Sequence, residues 1–203
     1  MLRSMLFGVI LLLSSAAHAA SDVILVFGDS LSAGYGLRLD EAWPALLERK
    51  LATEKLRYSV VNASISGETT SGGRSRLATA LAKYKPAVVI IALGANDGLR
   101  GLPLSEMRAN LAGMIAACRK ANARVLLAGM RLPPNYGPDY TQKFHRSFAD
   151  VAAASDAALV PFLLDGFAQK RELFQADGIH PAAAAQPLIL ANLWPTLQGM
   201  LRK

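Results

Sequence analysis

The chain has 203 residues, 52% of them hydrophobic and 18% charged, with 22 Lys plus Arg against 15 Asp plus Glu and a single Cys. Such a composition excludes a disordered chain, which lacks the apolar side chains to build a core, and its length suits one α/β domain. One thiol excludes an internal disulfide framework, and no Cys/His set has the spacing of a zinc site.

The chain opens on the short basic stretch Met1-Leu2-Arg3, continues through an apolar run from Met5 to Leu13 and reaches the small-residue signal Ala17-His18-Ala19. This order predicts a secretory signal peptide cut after Ala19, leaving residues 20–203 as a single domain, periplasmic or secreted. A membrane-spanning helix needs about 20 apolar residues, and Ser14-Ser15 break the run first. It is therefore an export address, and no stable membrane anchor is predicted. With it leave Arg3 and His18, so the domain keeps two imidazoles, His145 and His180.

The formal net charge of +7 raises the question of an anionic partner. The longest basic groupings are pairs such as Arg49-Lys50 and Lys170-Arg171, and no aromatic residues interleave with a basic stripe as a nucleic-acid groove requires. A solvated surface with incidental charge fits this scatter, with weak attraction to anionic lipid as the alternative; nucleic acid is not an expected partner.

Five short runs rich in β-branched and apolar residues follow, each leading into a stretch with helical spacing. The predicted strands are Val23 to Phe27, Tyr58 to Asn62, Ala87 to Leu93, Arg124 to Ala128 and Ala158 to Phe162. Val88 to Leu93 is apolar on both faces, which suits a central parallel strand covered on each side. The helical stretches are Trp43 to Thr53, Ser75 to Lys83, Leu104 to Asn122, Tyr140 to Ser155 and a last one from about Ala182 to Leu197. In the third, Leu104, Met107, Leu111, Met114, Ile115 and Cys118 recur at steps of three and four, so Cys118 belongs to a core-facing side. Strand and helix in alternation predict a doubly wound α/β fold with right-handed crossovers.

In open parallel sheets the ligand crevice lies at the carboxyl ends of the strands. Polar residues gather there: Gly28-Asp29-Ser30-Leu31-Ser32 with Gly34-Tyr35-Gly36 after the first strand, Asn62 to Gly73 after the second, and Gly94-Ala95-Asn96-Asp97-Gly98 after the third. A further cluster, Asp177-Gly178-Ile179-His180-Pro181, precedes the last helix. Together they hold the parts of an acyl-transfer site. A serine hydroxyl needs a base within hydrogen-bond reach and a third group to orient that base. Ser30 in its glycine-rich turn is the candidate nucleophile, His180 the base and Asp177 the orienting carboxylate. A tetrahedral intermediate also needs donors aimed at its oxyanion; the backbone N–H groups of Ser30 and Gly67 and the amide of Asn96 are candidates.

Each piece has a plainer use. Gly-Asp-Ser serves as a turn with a helix cap, Gly67 as a positive-φ position, Asn96-Asp97-Gly98 as a tight turn, and a lone His before Pro as a surface or capping residue. These separate uses leave unexplained why four sets at the ligand-facing ends of four different segments supply nucleophile, base, orienting acid and oxyanion donors. His145, among Gln142, Lys143 and Arg146, is expected to be a solvated helix residue.

These residues resemble the SGNH (GDSL-type) hydrolases, in particular their exported bacterial thioesterase, lysophospholipase and arylesterase members. The resemblance runs over residues 20–203 through Gly28 to Gly36, Asn62 to Gly67, Gly94 to Gly101, Arg131 to Gly137, and Asp177 to Pro181 followed by Ala185-Gln186-Pro187. It implies Ser30 as nucleophile, Gly67 and Asn96 as oxyanion donors beside the Ser30 N–H, and Asp177 and His180 as the rest of a triad. One departure is Ala182, where relatives often carry Asn after His-Pro, which bears on the start of the last helix. The implied fold is a flavodoxin-like three-layer α/β/α sandwich with a five-stranded parallel sheet in the order 2-1-3-4-5. Ser30 lies outside any Gly-x-Ser-x-Gly elbow, and Asp177 and His180 share one short loop, which disfavours the α/β-hydrolase arrangement.

The expected activity is serine-dependent hydrolysis of carboxylic esters and acyl thioesters through a covalent acyl-serine, on aryl esters, acyl-CoA-type thioesters or lysophospholipids. The partner is then a small-molecule or lipid ester; no metal or cofactor is needed, and a monomer is expected. The alternative is a non-catalytic module whose Gly/Ser-rich turn holds an anion, which leaves Asp177 and His180 without a use. The loop after the fourth strand carries two prolines and apolar side chains, so Leu132, Pro133 and Tyr136 are expected to bind substrate beside Ser30.

Overall fold

The computed structural model describes residues 21–201; the predicted signal peptide lies outside them. Five strands form one parallel sheet: β1 (Asp22–Gly28), β2 (Tyr58–Asn62), β3 (Val88–Ala92), β4 (Arg124–Ala128) and β5 (Ala158–Val160). Their order is β2-β1-β3-β4-β5, all neighbours parallel, with Ile24 in register with Val60 on one side and Val88 on the other. The chain order reverses between β1 and β3, so a crevice opens beyond the carboxyl ends of those two strands. β1 from Ile24 to Phe27 and β3 from Val88 to Ile91 are 0% exposed, as expected of strands covered on both faces.

Among the described residues seven α-helices accompany the sheet: α1 (Ser30–Ala33), α2 (Trp43–Thr53), α3 (Thr70–Tyr84), α4 (Ala95–Leu99), α5 (Leu104–Lys120), α6 (Pro138–Ala154) and α7 (Gln186–Met200). Helices α2 and α7 pack together on one face of the sheet, while α3 meets α5 and α5 meets α6 on the other. The flavodoxin-like three-layer sandwich is thus the observed fold.

Several boundaries differ from the predicted ones for local reasons. β5 stops at Val160 rather than Phe162, because Pro161 has no N–H to extend the ladder. Helix α3 starts at Thr70, five residues before the expected Ser75, because the Thr69 side chain caps Gly72 N–H. At Gly73 an added Cβ would fall 2.4 Å from Leu93 Cδ1, so the glycine lets α3 close onto the sheet. Helix α5 ends at Lys120, since Asn122 takes φ +59°. After Pro181 the chain runs through a 3-10 turn at Ala183–Ala185, and α7 proper begins at Gln186 rather than Ala182. The buried Gln186 side chain braces this entry by accepting from Trp43 N–H at 3.0 Å.

Candidate active site

Three strand ends and one late loop meet above the switch point. β1 runs into Gly28 and Asp29, and the Asp29 carboxylate caps α1 by accepting from Leu31 N–H at 3.0 Å. Ser30 is therefore the first residue of a four-residue helix at the end of a buried strand, half-buried with its hydroxyl beyond the sheet. Gly28 is required by close approach: an added Cβ would fall 2.7 Å from Ser32 Oγ and 3.0 Å from the Ala92 carbonyl oxygen.

His180 reaches Ser30 from 150 positions along the chain, its Nε2 lying 2.9 Å from Ser30 Oγ. Its Nδ1 lies 2.7 Å from Asp177 Oδ2. The carboxylate accepts a hydrogen bond from Nδ1–H, which fixes the ring tautomer and leaves Nε2 free to accept from the serine hydroxyl. Asp177 Oδ1 accepts the backbone N–H groups of Ile179 at 2.8 Å and His180 at 3.0 Å. The His180 N–H, its ring and the Ile179 N–H together hold the Asp177 carboxyl well below the usual carboxylate range, so it stays ionised.

Two groups that sequence alone did not single out hold the histidine in place. The Tyr35 ring lies 4.4 Å from the His180 ring, centroid to centroid. Gln175 accepts nothing from His180 but donates its backbone N–H to the His180 carbonyl at 2.8 Å and its amide to the Tyr35 carbonyl at 2.7 Å. Gly36, at φ +72°, makes room for that amide, since a Cβ there would fall 2.2 Å from Gln175 Oε1. The Gly34-Tyr35-Gly36 pattern was the available signal; Gln175, far away in sequence, offered none.

Asn96 sits on α4, whose first turn follows β3 directly through Gly94 at φ +117°. Its Nδ2 donates to the Glu68 carbonyl at 3.0 Å and lies 3.3 Å from Asp29 Oδ2. Gly67, exposed and at φ +77°, precedes Glu68, and its carbonyl accepts from Arg100 Nη2 at 2.9 Å. The segment from Ala63 to Thr70 is pinned throughout: Arg76 pairs with Glu68 and donates to the Ala63 carbonyl, while Asp97 accepts from Thr70 N–H at 2.8 Å and Thr70 Oγ1 at 2.5 Å. Asn62 and Ser64 tie the same segment to α1 and β1 through the Ser32 carbonyl and Gly28 N–H. The plainer uses of Asp29 as a cap and Gly67 as a positive-φ residue are therefore real, and coexist with the placement of Ser30, Gly67 and Asn96 around one crevice.

The loop after β4 differs from expectation at one residue. Leu132, expected to offer its side chain to substrate, is 9% exposed and packs in the core, because Gly98 of α4 leaves space that a Cβ 2.9 Å from Leu132 Cδ2 would fill. Pro133 is exposed, and Tyr136 is half-buried with its hydroxyl donating to the Leu99 carbonyl at the end of α4 at 3.0 Å. His145 is half-buried rather than solvated, with Nδ1 3.2 Å from the Met130 carbonyl. Cys118 is fully buried, as expected, and burial pushes its thiol up to about 12.

Residues 26–187 match the GDSL-like lipase/acylhydrolase family. The chain is 50% identical over 197 residues to a protein of Pseudomonas aeruginosa named esterase TesA, covering 97% of this chain and 98% of that protein. It is 41% identical over 191 residues to the Escherichia coli protein named thioesterase 1/protease 1/lysophospholipase L1, covering 94% of this chain and 90% of that one. A crystal structure of TesA superposes with a TM-score of 0.87 at 52% identity, covering 89% of this chain and 100% of that one. The chain belongs to the GDSL-like lipase/acylhydrolase family and is an ester hydrolase.

Proposed function

We propose that this hydrolase cleaves carboxylic esters and acyl thioesters through a covalent acyl-Ser30, with acyl-CoA-type thioesters, aryl esters and lysophospholipids as the substrate classes. The observation that carries it is the unbroken chain from Asp177 Oδ2 through the His180 ring to Ser30 Oγ, at 2.7 and 2.9 Å. His180 accepts the Ser30 proton as Oγ attacks the acyl carbon, and ionised Asp177 steadies the imidazolium that forms. The Ser30 and Gly67 N–H groups and the Asn96 amide receive the oxyanion. His180 then protonates the departing alcohol or thiol and later activates water to release the acid. Every group this needs is a side chain or backbone amide of the chain, so neither metal nor cofactor is required.

Substrate contact is assigned to Pro133 and Tyr136, with Leu132 supporting them from beneath. Tyr136 also braces α4, so Tyr136→Phe, which keeps the ring and loses the bond to Leu99, separates the two roles. The basic start, apolar run and Ala-His-Ala signal support export of residues 20–203 as a single domain to the periplasm or beyond; among the described residues no helix is long and apolar enough to cross a membrane. One-domain size and scattered charge support a monomer.

A fluorophosphonate probe tests the nucleophile. Wild-type protein is expected to be labelled on Ser30 and to hydrolyse p-nitrophenyl acetate, while Ser30→Ala is expected to lose both and keep its circular-dichroism spectrum. An active Ser30→Ala enzyme removes the acyl-serine mechanism.

A further inference from the structure

Asp29 takes no part in the steps above, yet it is 1% exposed. Removing a carboxylate from water costs several kcal/mol, and its two oxygens reach two different elements. Oδ1 accepts from Leu31 N–H at 3.0 Å, inside the turn that carries Ser30. Oδ2 lies 3.3 Å from Asn96 Nδ2 on α4, whose other contact is the Glu68 carbonyl at 3.0 Å. Two acceptors around one end of a carboxamide decide which end holds the nitrogen, because a flipped Asn96 would turn its oxygen against both.

We propose that Asp29 is a positioning residue for ester hydrolysis: by accepting from Leu31 and Asn96 together, it ties the Ser30 turn to α4 and keeps Asn96 Nδ2 facing the acyl oxygen. This rests on Asn96 serving as an oxyanion donor, as above. The bond to Asp29 is the longer of the two, so its hydrogen is the one a developing oxyanion shares. Only a carboxylate fills both places. Asparagine at position 29 has one acceptor oxygen; with that oxygen on Leu31 N–H, its own NH2 faces the NH2 of Asn96 and drives the Asn96 amide to flip.

Protonation of Asp29 has a related effect, since one oxygen then becomes a donor. Burial pushes its carboxyl up to about 7, opposed by Leu31 N–H and by the charge of His180, and reinforced by Asp97 on α4. The nearby Glu68 carboxylate is turned to Arg76. The pairing with Asn96 is thus lost as pH falls through neutrality.

The test compares p-nitrophenyl acetate hydrolysis by wild type, Asp29→Asn, Asn96→Ala and the double variant, with melting curves as the check on folding. Asp29→Asn is expected to lower kcat on the order of 10- to 100-fold with KM within about twofold. The double variant is expected to be no worse than Asn96→Ala alone, because Asp29 acts through Asn96. Normal kcat in Asp29→Asn beside a crippled Asn96→Ala, or losses that multiply in the double variant, overturns this proposal alone. Normal kcat in Asn96→Ala overturns the oxyanion assignment and this proposal with it. The pH profile decides without Asp29→Asn, should that variant not fold: wild type is expected to lose a further factor below pH 7 that Asn96→Ala lacks, and profiles of identical shape overturn the proposal.

Discussion

Asp177 holds the catalytic loop and the imidazole with different oxygens, so one substitution can separate the two jobs. In Asp177→Asn the side-chain oxygen still accepts from Ile179 and His180 N–H, but its NH2 now faces His180 Nδ1. The ring then favours the tautomer with hydrogen on Nε2, which cannot take the Ser30 proton. The expected loss in kcat is about 10⁴-fold with only a modest fall in melting temperature, because the Asp177 side chain is 37% exposed and the charge it loses is partly solvated. Activity within tenfold of wild type sinks the triad assignment. Asn96→Ala isolates the amide, because alanine keeps the α4 backbone helical. Its kcat is expected to fall on the order of 10² to 10³, or roughly 3 to 4 kcal/mol, with KM nearly unchanged. Steady-state kinetics on a short acetate ester reads both; a larger change in KM than in kcat assigns the amide to ground-state binding instead.

The elements that present these residues are short, and tertiary bonds rather than intrinsic propensity hold them. Helix α4 has five residues, too few to be stable alone, and the buried Asp97 fixes it to the start of α3 through Thr70. Thr70→Val leaves that carboxylate without its hydroxyl donor and is expected to cost about 1 to 3 kcal/mol. The exposed Thr79→Val is the control, expected to stay within about 0.5 kcal/mol. Urea midpoints compare the two, and equal small shifts argue against Asp97 as the anchor of α4. The same shortness explains why parts of the chain were not legible in sequence. β1 and β3 announce themselves as unbroken apolar runs, Ser30 as a hydroxyl in a glycine-rich turn at a strand end, and Asp177 and His180 as a polar pair in the loop before the last helix. Helices α1 and α4 complete too few turns to show a period. The burial of Leu132 depends on space left by Gly98, and the grip of Gln175 on Tyr35 spans 140 positions; neither relation exists before the fold brings the partners together.

For the molecule as a whole, the site sets stability and activity against each other along the pH axis. Asp29 has its carboxyl raised from 3.8 to about 7, so between those values the folded protein holds a proton that the unfolded chain has released. Its contribution to stability is full below about pH 4 and is lost as pH rises through 7. Asp177 is shifted the other way: its contribution is present above about pH 4 and is lost as the medium becomes more acid than that. These two groups therefore favour folding most in mildly acid solution. Ester hydrolysis, by contrast, needs an ionised Asp29 to hold Asn96, and that form is supplied at higher pH. The enzyme is then expected to work best where the buried Asp29 charge makes it less stable, a trade-off common at functional sites. Urea unfolding of wild type and Asp29→Asn at pH 4.5 and pH 8 measures it. Because Asn cannot ionise, wild type is expected to lose about 3 kcal/mol more than the variant between the two pH values. Parallel pH dependence in the two proteins means that the Asp29 carboxyl is not held protonated by its burial, and the separation of the two optima falls with it.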